Sequence, residues 1–173
     1  MIFTIGHSTR TLEELIGILH AHAVRGVIDV RRFPASRRYP HFNREALAAD
    51  LACAGIGYEW LPDLGGRRNA RPDSHNTRWR NASFRGYADY METPAFRAAM
   101  GRLEAIAAER PAAILCAEAV WWRCHRSLIA DFLTARGAAV SHIVDAQRLE
   151  PHRYTEPARI VDGKLSYVED RLI

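Results

Sequence analysis

The sequence predicts an α/β fold: one domain with a mostly parallel five-stranded sheet, helices on both faces in a Rossmann-like arrangement, and a C-terminal β-hairpin. Three observations predict it. Short apolar runs alternate with helix-period segments, the pattern of successive βαβ units. The chain has 173 residues, a length that suits one domain with a core of useful size. No repeat, low-complexity tract or clear linker interrupts it, so residues 1–173 read as one unit with a tail from about 151.

The elements follow in order. "IFTIG" (2–6) is a short apolar run ending in glycine, a buried strand. In "TLEELIGILHAHA" (11–23), Leu12, Leu15, Ile16 and Leu19 fall on one helical face, and Thr11 with Glu14 fits a capping box. "RGVIDVR" (25–31) is a second strand. "FNREALAADLACAG" (42–55) reads as a helix with Asn43 as N-cap and Gly55 past its end. "IGYEWLP" (56–62) is a third strand. Residues 63–86, rich in arginine, asparagine and glycine, read as a long loop, and loops of that length in compact domains are commonly functional. "TPAFRAAMGRLEAIAAER" (93–110) is a helix with Thr93 as N-cap and Pro94 at its first position. "AAILCAE" (112–118) is a fourth strand, "CHRSLIADFLTARG" (124–137) a helix stopped by Gly137, and "AAVSHIVD" (138–145) a fifth strand. Two β-like runs flank Asp162-Gly163, a two-residue hairpin signal.

Composition excludes several classes. Hydrophobic content is 48% and charged content 25%, as in ordinary globular proteins. No apolar run approaches the ~20 residues of a membrane span. "MIFTIGHS" lacks the basic and long apolar regions of a signal peptide, so a cytoplasmic location is expected. Three cysteines without an export signal argue against a disulfide framework. Lys164 is the only lysine, so arginine carries the basic charge. Residues 31–85 hold eleven arginines and five acids, a net of 11 − 5 = +6 against +4 for the whole chain, which points to an anionic partner.

In open parallel sheets, ligands bind beyond the carboxyl ends of the strands. Four polar segments fall there: "GHSTR" after strand one, "DVRRFPASRRYPHF" after strand two, "LPDLGGRR" after strand three and "CAEAVWWRCHR" after strand four. Together, "TIGHST", "DVRRFPASRRYPHFN", "LPDLGGRR" and "CAE…CHRSLIA" resemble the domain-of-unknown-function family 488 over about residues 1–145. The resemblance implies a compact domain with an arginine- and cysteine-bearing pocket and brings no established substrate. It marks Gly6, His7, Ser8, Asp29, Arg31, Pro34, Ser36, Leu64, Gly65, Cys116, Glu118, Cys124, His125 and Arg126. Trp121-Trp122 stand where the family pattern has polar residues.

The residue types define the expected chemistry. Cys124 follows a loop and opens a helix, where unpaired N–H groups, Arg123 and Arg126 favour a thiolate; the alternative is a packed thiol at the first turn. Strict alternation places Cys116 and Glu118 on one side, and Glu118 either moves a proton or pins an arginine. Proton transfer is expected of His7, Glu118 or His125. Asp29 is expected to orient an arginine. Arg31, Arg37 and Arg126 form the expected phosphate or carboxylate receptor. Ser8, Ser36, Arg67 and the Gly65-Gly66 pair complete the expected ligand-binding set. Of Trp121 and Trp122, at most one is expected to face the pocket. No cofactor is expected, with a metal on Cys116, Cys124, His125 and His7 as the alternative: the C-x7-C-H spacing is none of the usual zinc patterns, adjacent residues 124 and 125 are awkward co-ligands, and no P-loop or G-x-G-x-x-G follows a strand. The leading expectation is therefore an enzyme acting on a phosphate-bearing ligand such as a nucleotide or nucleic acid. The alternatives are a non-catalytic nucleic-acid-binding module using the basic face of residues 31–85 and a metal-dependent hydrolase.

Overall fold

The computed structural model describes residues 1–169; the last four residues of the tail lie outside the described residues. The strands are β1 (Ile2–Gly6), β2 (Gly26–Asp29), β3 (Gly57–Trp60), β4 (Ala112–Cys116), β5 (Val140–Ile143), β6 (Leu149–Pro151), β7 (Arg159–Val161) and β8 (Lys164–Ser166). The helices are α1 (Leu12–Ala21), α2 (Arg44–Cys53), α3 (Ala82–Met91), α4 (Pro94–Glu109) and α5 (Arg126–Ala135). One sheet runs β3-β2-β4-β1-β5-β6, and β7-β8 form the C-terminal hairpin across Asp162-Gly163. The five expected strands are parallel to one another, and β6 adds an antiparallel edge beside β5. Three residues ending in Pro151 carry no readable periodicity, and proline is tolerated at a sheet edge.

Period-two alternation sorts the strand side chains onto two faces. Phe3, Ile5, Val27, Ala113 and Leu115 pack with Leu15 and Leu19 of α1 and Leu47 and Leu51 of α2. Ile28, Ile114 and Cys116 pack with α3, α4 and α5 through Tyr87, Phe96, Met100, Leu128 and Ile129. The α1 capping box forms as expected, with Thr11 Oγ1 accepting from the Glu14 N–H. Asn43 occupies the N-cap of α2, but its Oδ1 accepts from the Ser36 N–H instead, fastening the loop after β2.

The segment expected to be a loop over 63–86 ends earlier, because α3 begins at Ala82. Asn81 Oδ1 caps it by accepting from the Ser83 and Phe84 N–H groups. Gly86 lowers its helix propensity, yet a Cβ there would lie 2.3 Å from Arg68 O, so the loop crosses the helix only over glycine. Buried Asp89 on α3 then gathers the loop, accepting from Arg71 N–H, Ser74 Oγ and Asn76 Nδ2.

A buried polar chain ties the tail to the domain. Asp131 on α5 accepts from His152 Nε2, the Thr155 N–H and hydroxyl, and the Tyr167 hydroxyl. His152 Nδ1 lies 2.9 Å from His142 Nε2, and His142 Nδ1 lies 2.7 Å from Thr4 Oγ1. One proton ordering satisfies every member: Thr4 donates to His142, His142 to His152, and His152 to Asp131.

Candidate functional site

β1 and β4 lie side by side at the centre of the sheet. The chain leaves β1 towards β2 and leaves β4 towards β5, in opposite directions across the sheet. The order therefore reverses at the β1/β4 pair, where a crevice opens beyond the strand ends. The backbone continues the pairing for two residues: His7 N–H donates to Cys116 O and Ser8 N–H to Ala117 O. The approach is tight, since a Cβ at Gly6 would lie 1.9 Å from Glu118 O. Ser8 then adopts φ +52°, an uncommon left-handed conformation at the mouth of the crevice.

The crevice widens into a cleft of about 980 Å³. His7, Ser8, Arg31, Ser36, Gly66, Arg67, Cys116, Glu118, Cys124 and His125 line it, so ten of the residues expected from sequence meet there. Asp29, Gly65, Arg37 and Arg126 do not. Asp29 is fully buried behind Arg31 and also accepts from the Tyr58 hydroxyl. Gly65 is buried, and a Cβ there would press on Arg32 at 2.8 Å. Arg37 is exposed outside the lining. Arg126, 1% exposed, donates from NH1 to Glu118 O and from NH2 to Ala119 O. It therefore shapes the loop after β4 and has these donors occupied.

Arg31 is locked in place. Its Nε donates to Asp29, and its NH1 donates to Phe42 O at 2.8 Å and to His7 Nε2 at 3.3 Å. His7 Nδ1 donates to Ser8 O. Burial, with Arg31 alongside, pushes the His7 pKa down to about 4. The ring is thus neutral with its Nε2 lone pair engaged, a geometry that positions Arg31. Glu118 and Cys116 part company: the strand ends at Cys116, and exposed Glu118 accepts from the Val120 N–H.

Cys116 and Cys124 are free and buried, at 9% and 4% exposure. Cys116, Cys124 and His125 place one ligand atom each within 4.8 Å of one another, with Cys124 Sγ 3.7 Å from His125 Nδ1. The adjacent pair 124–125 converges here because a turn (Trp121–Arg123) precedes it and α5 starts only at Arg126. The two thiols lie side by side. The Cys124 thiol, with His125 and Arg126 nearby, holds Cys116 well below the usual thiol range, and the same contact with Cys116, with burial, pushes Cys124 well above it.

Trp121 stacks on His142 at 4.1 Å, whereas Trp122 is 56% exposed and lines the cleft. Sequence reasoning missed Arg32, Phe33, Arg123 and the start of α3 (Asn81, Ser83, Phe84) as cleft residues. A signal for α3 was present: Phe84, Tyr87, Ala88 and Met91 fall at i, i+3, i+4, i+7.

The fold and site define an α/β protein with a guanidinium- and thiol-lined cleft at the reversal point of a parallel sheet. The profile of the family described as Domain of unknown function DUF488 matches residues 11–133, and the chain belongs to that family. Among curated proteins and among solved structures, none matches the chain. No helix among the described residues is long and apolar enough to cross a membrane.

Proposed function

We propose that the protein is an enzyme whose cleft takes a phosphate-bearing ligand such as a nucleotide or a nucleic-acid end. One observation carries this reading: Arg31, Arg32, Arg67 and Arg123 line the cleft, and Glu118 is the one carboxylate among its lining residues. Guanidinium forks match phosphate oxygens, and a cleft of one sign concentrates the opposite one. Arg31, paired with Asp29, forms the fixed floor of the cleft, and exposed Arg32, Arg67 and Arg123 are the cations that close around the ligand. Phe33 and Trp122 on the same cleft, 69% and 56% exposed, offer flat faces on which a base stacks. The reactive centre is the Cys116–Cys124–His125 cluster rather than Cys124 alone, with His125 beside the thiols and Glu118 on the same cleft lining to move protons. Three free cysteines fit a reducing, cytoplasmic setting.

The binding-module alternative draws on the same arginines. Of the eleven in residues 31–85, Arg31, Arg44 and Arg71 pair with carboxylates within the fold, which lowers the net charge the face offers. Calorimetric titration with a nucleoside monophosphate separates the two readings. Arg67→Glu and Arg123→Glu are each expected to weaken binding about tenfold or more, since a charged hydrogen bond contributes roughly 1.5–3 kcal/mol. Arg37→Glu, outside the cleft, is expected to leave it unchanged. Equal losses in all three variants support the binding module, and no binding by the unmutated protein contradicts the enzyme reading.

A further inference from the structure

We infer that Cys116, Cys124 and His125 form a binding site for a soft divalent cation of the zinc class, with three protein ligands and a fourth position open to the cleft. The inference rests on the proposed cleft function and assigns the cluster's role as ligand set rather than bare nucleophile.

The geometry is close to what such an ion requires. Metal–sulfur and metal–nitrogen bonds of about 2.3 and 2.0 Å in a tetrahedron put ligand atoms roughly 3.5–3.8 Å apart. Cys124 Sγ and His125 Nδ1 are already 3.7 Å apart, and all three ligand atoms lie within 4.8 Å of one another. Small side-chain rotations close the remainder. Two thiolates and an imidazole are the donors that select zinc-class ions over magnesium or calcium.

The His125 ring is otherwise uncommitted. Its buried Nε2 has no hydrogen-bond partner among the described residues, and its Nδ1 meets only the thiols. The ring is nonetheless fixed, with Tyr87 at 5.1 Å between centroids and the Gly66 backbone so close that a Cβ there would lie 2.8 Å from Nδ1. In the tautomer that carries its proton on Nε2, the Nδ1 lone pair faces the thiols and is held there for a ligand bond. Three ligands with a cleft beside them match the composition of catalytic rather than structural zinc sites, which are closed by a fourth residue. All three residues line the arginine-bearing cleft, so the open position faces water or a phosphate oxygen of the ligand.

The test is titration of the reduced, metal-free full chain with Co²⁺, read by absorbance, followed by X-ray absorption of the loaded protein. One ion per chain is expected, with thiolate-to-cobalt charge transfer, tetrahedral visible bands and two sulfurs in the first shell. Zn²⁺ is expected to displace it. Cys116→Ser and Cys124→Ser are each expected to weaken Co²⁺ binding at least about tenfold, since thiolates are the strong ligands of such sites. Cys53→Ser, at an exposed position, is expected to change nothing. Absence of the charge-transfer band, or a first shell of nitrogen and oxygen only, overturns the assignment without recourse to any variant. Metal binding without nucleotide binding removes the proposed function and leaves this site standing; nucleotide binding without metal removes only the site.

Discussion

Asp29→Ala is expected to lower the unfolding free energy by about 3–5 kcal/mol, the cost of stranding a buried charge. Asp29 is fully buried and Arg31 is 7% exposed. The carboxylate accepts from the Arg31 backbone N–H at 3.0 Å, from its Nε at 2.9 Å and from the Tyr58 hydroxyl at 2.7 Å. Alanine leaves a guanidinium with no counter-charge and a phenol with no acceptor. The loss is large against a total stability of about 5–15 kcal/mol. Removing both charges is expected to cost less than removing one, because the desolvated cation goes as well. Urea unfolding of Asp29→Ala, Arg31→Met and the double variant measures this coupling. Strictly additive losses would contradict the ion-pair account. The same pair fixes Arg31 against the cleft, so Asp29→Asn, which keeps the shape and drops the charge, is expected to weaken phosphate binding while the fold persists.

Acid is expected to destabilise the protein progressively below about pH 6.5. Burial pushes the His7 pKa down to about 4 and, with His152 and Arg126 nearby, that of His142 down to about 3. In the unfolded chain both titrate near 6.5. As pH falls from 6.5 to 4, the unfolded state takes up protons that the folded state refuses, so stability falls with pH. It is fully present above about 6.5 and declines at roughly 1.4 kcal/mol per pH unit for each ring, about 3 kcal/mol apiece by pH 4. Both side chains are almost wholly enclosed, at 5% and 1% exposure, so solvent screens little of this. Thermal melts from pH 7.5 to 4 and imidazole proton shifts check it. A melting temperature flat between pH 7 and 4.5, or either ring titrating near 6.5, would contradict it.

The parts of the fold legible in sequence are those with a local cause. Five parallel strands, four of the helices and the Asp162-Gly163 hairpin carry their own periodicity or turn chemistry. Helix α3 was hidden because Gly86 and polar neighbours mask its apolar face, and the reason for that glycine is the loop lying over it. The edge strand β6 is too short to show a period. The site was legible as a region, because the strand ends of a parallel sheet collect ligand-binding residues. Its internal wiring was not. That Arg126 spends its donors on Glu118 O and Ala119 O, or that Cys124 lies beside Cys116, depends on how the loop after β4 closes over Gly6. Residues 124 and 125 look divergent as neighbours on a chain, and only the turn before α5 brings their ligand atoms together.

The central claim is that a phosphate-bearing ligand sits in the cleft against the Cys116–Cys124–His125 cluster. The most direct measurement is iodoacetamide alkylation of the reduced, metal-free protein, with each cysteine followed by peptide mass spectrometry, with and without a saturating nucleoside monophosphate. Cys116 is expected to react before Cys124, both are expected to be slowed by the nucleotide, and exposed Cys53 is expected to react at one rate throughout. Unchanged rates at Cys116 and Cys124 in the presence of the nucleotide would contradict the claim.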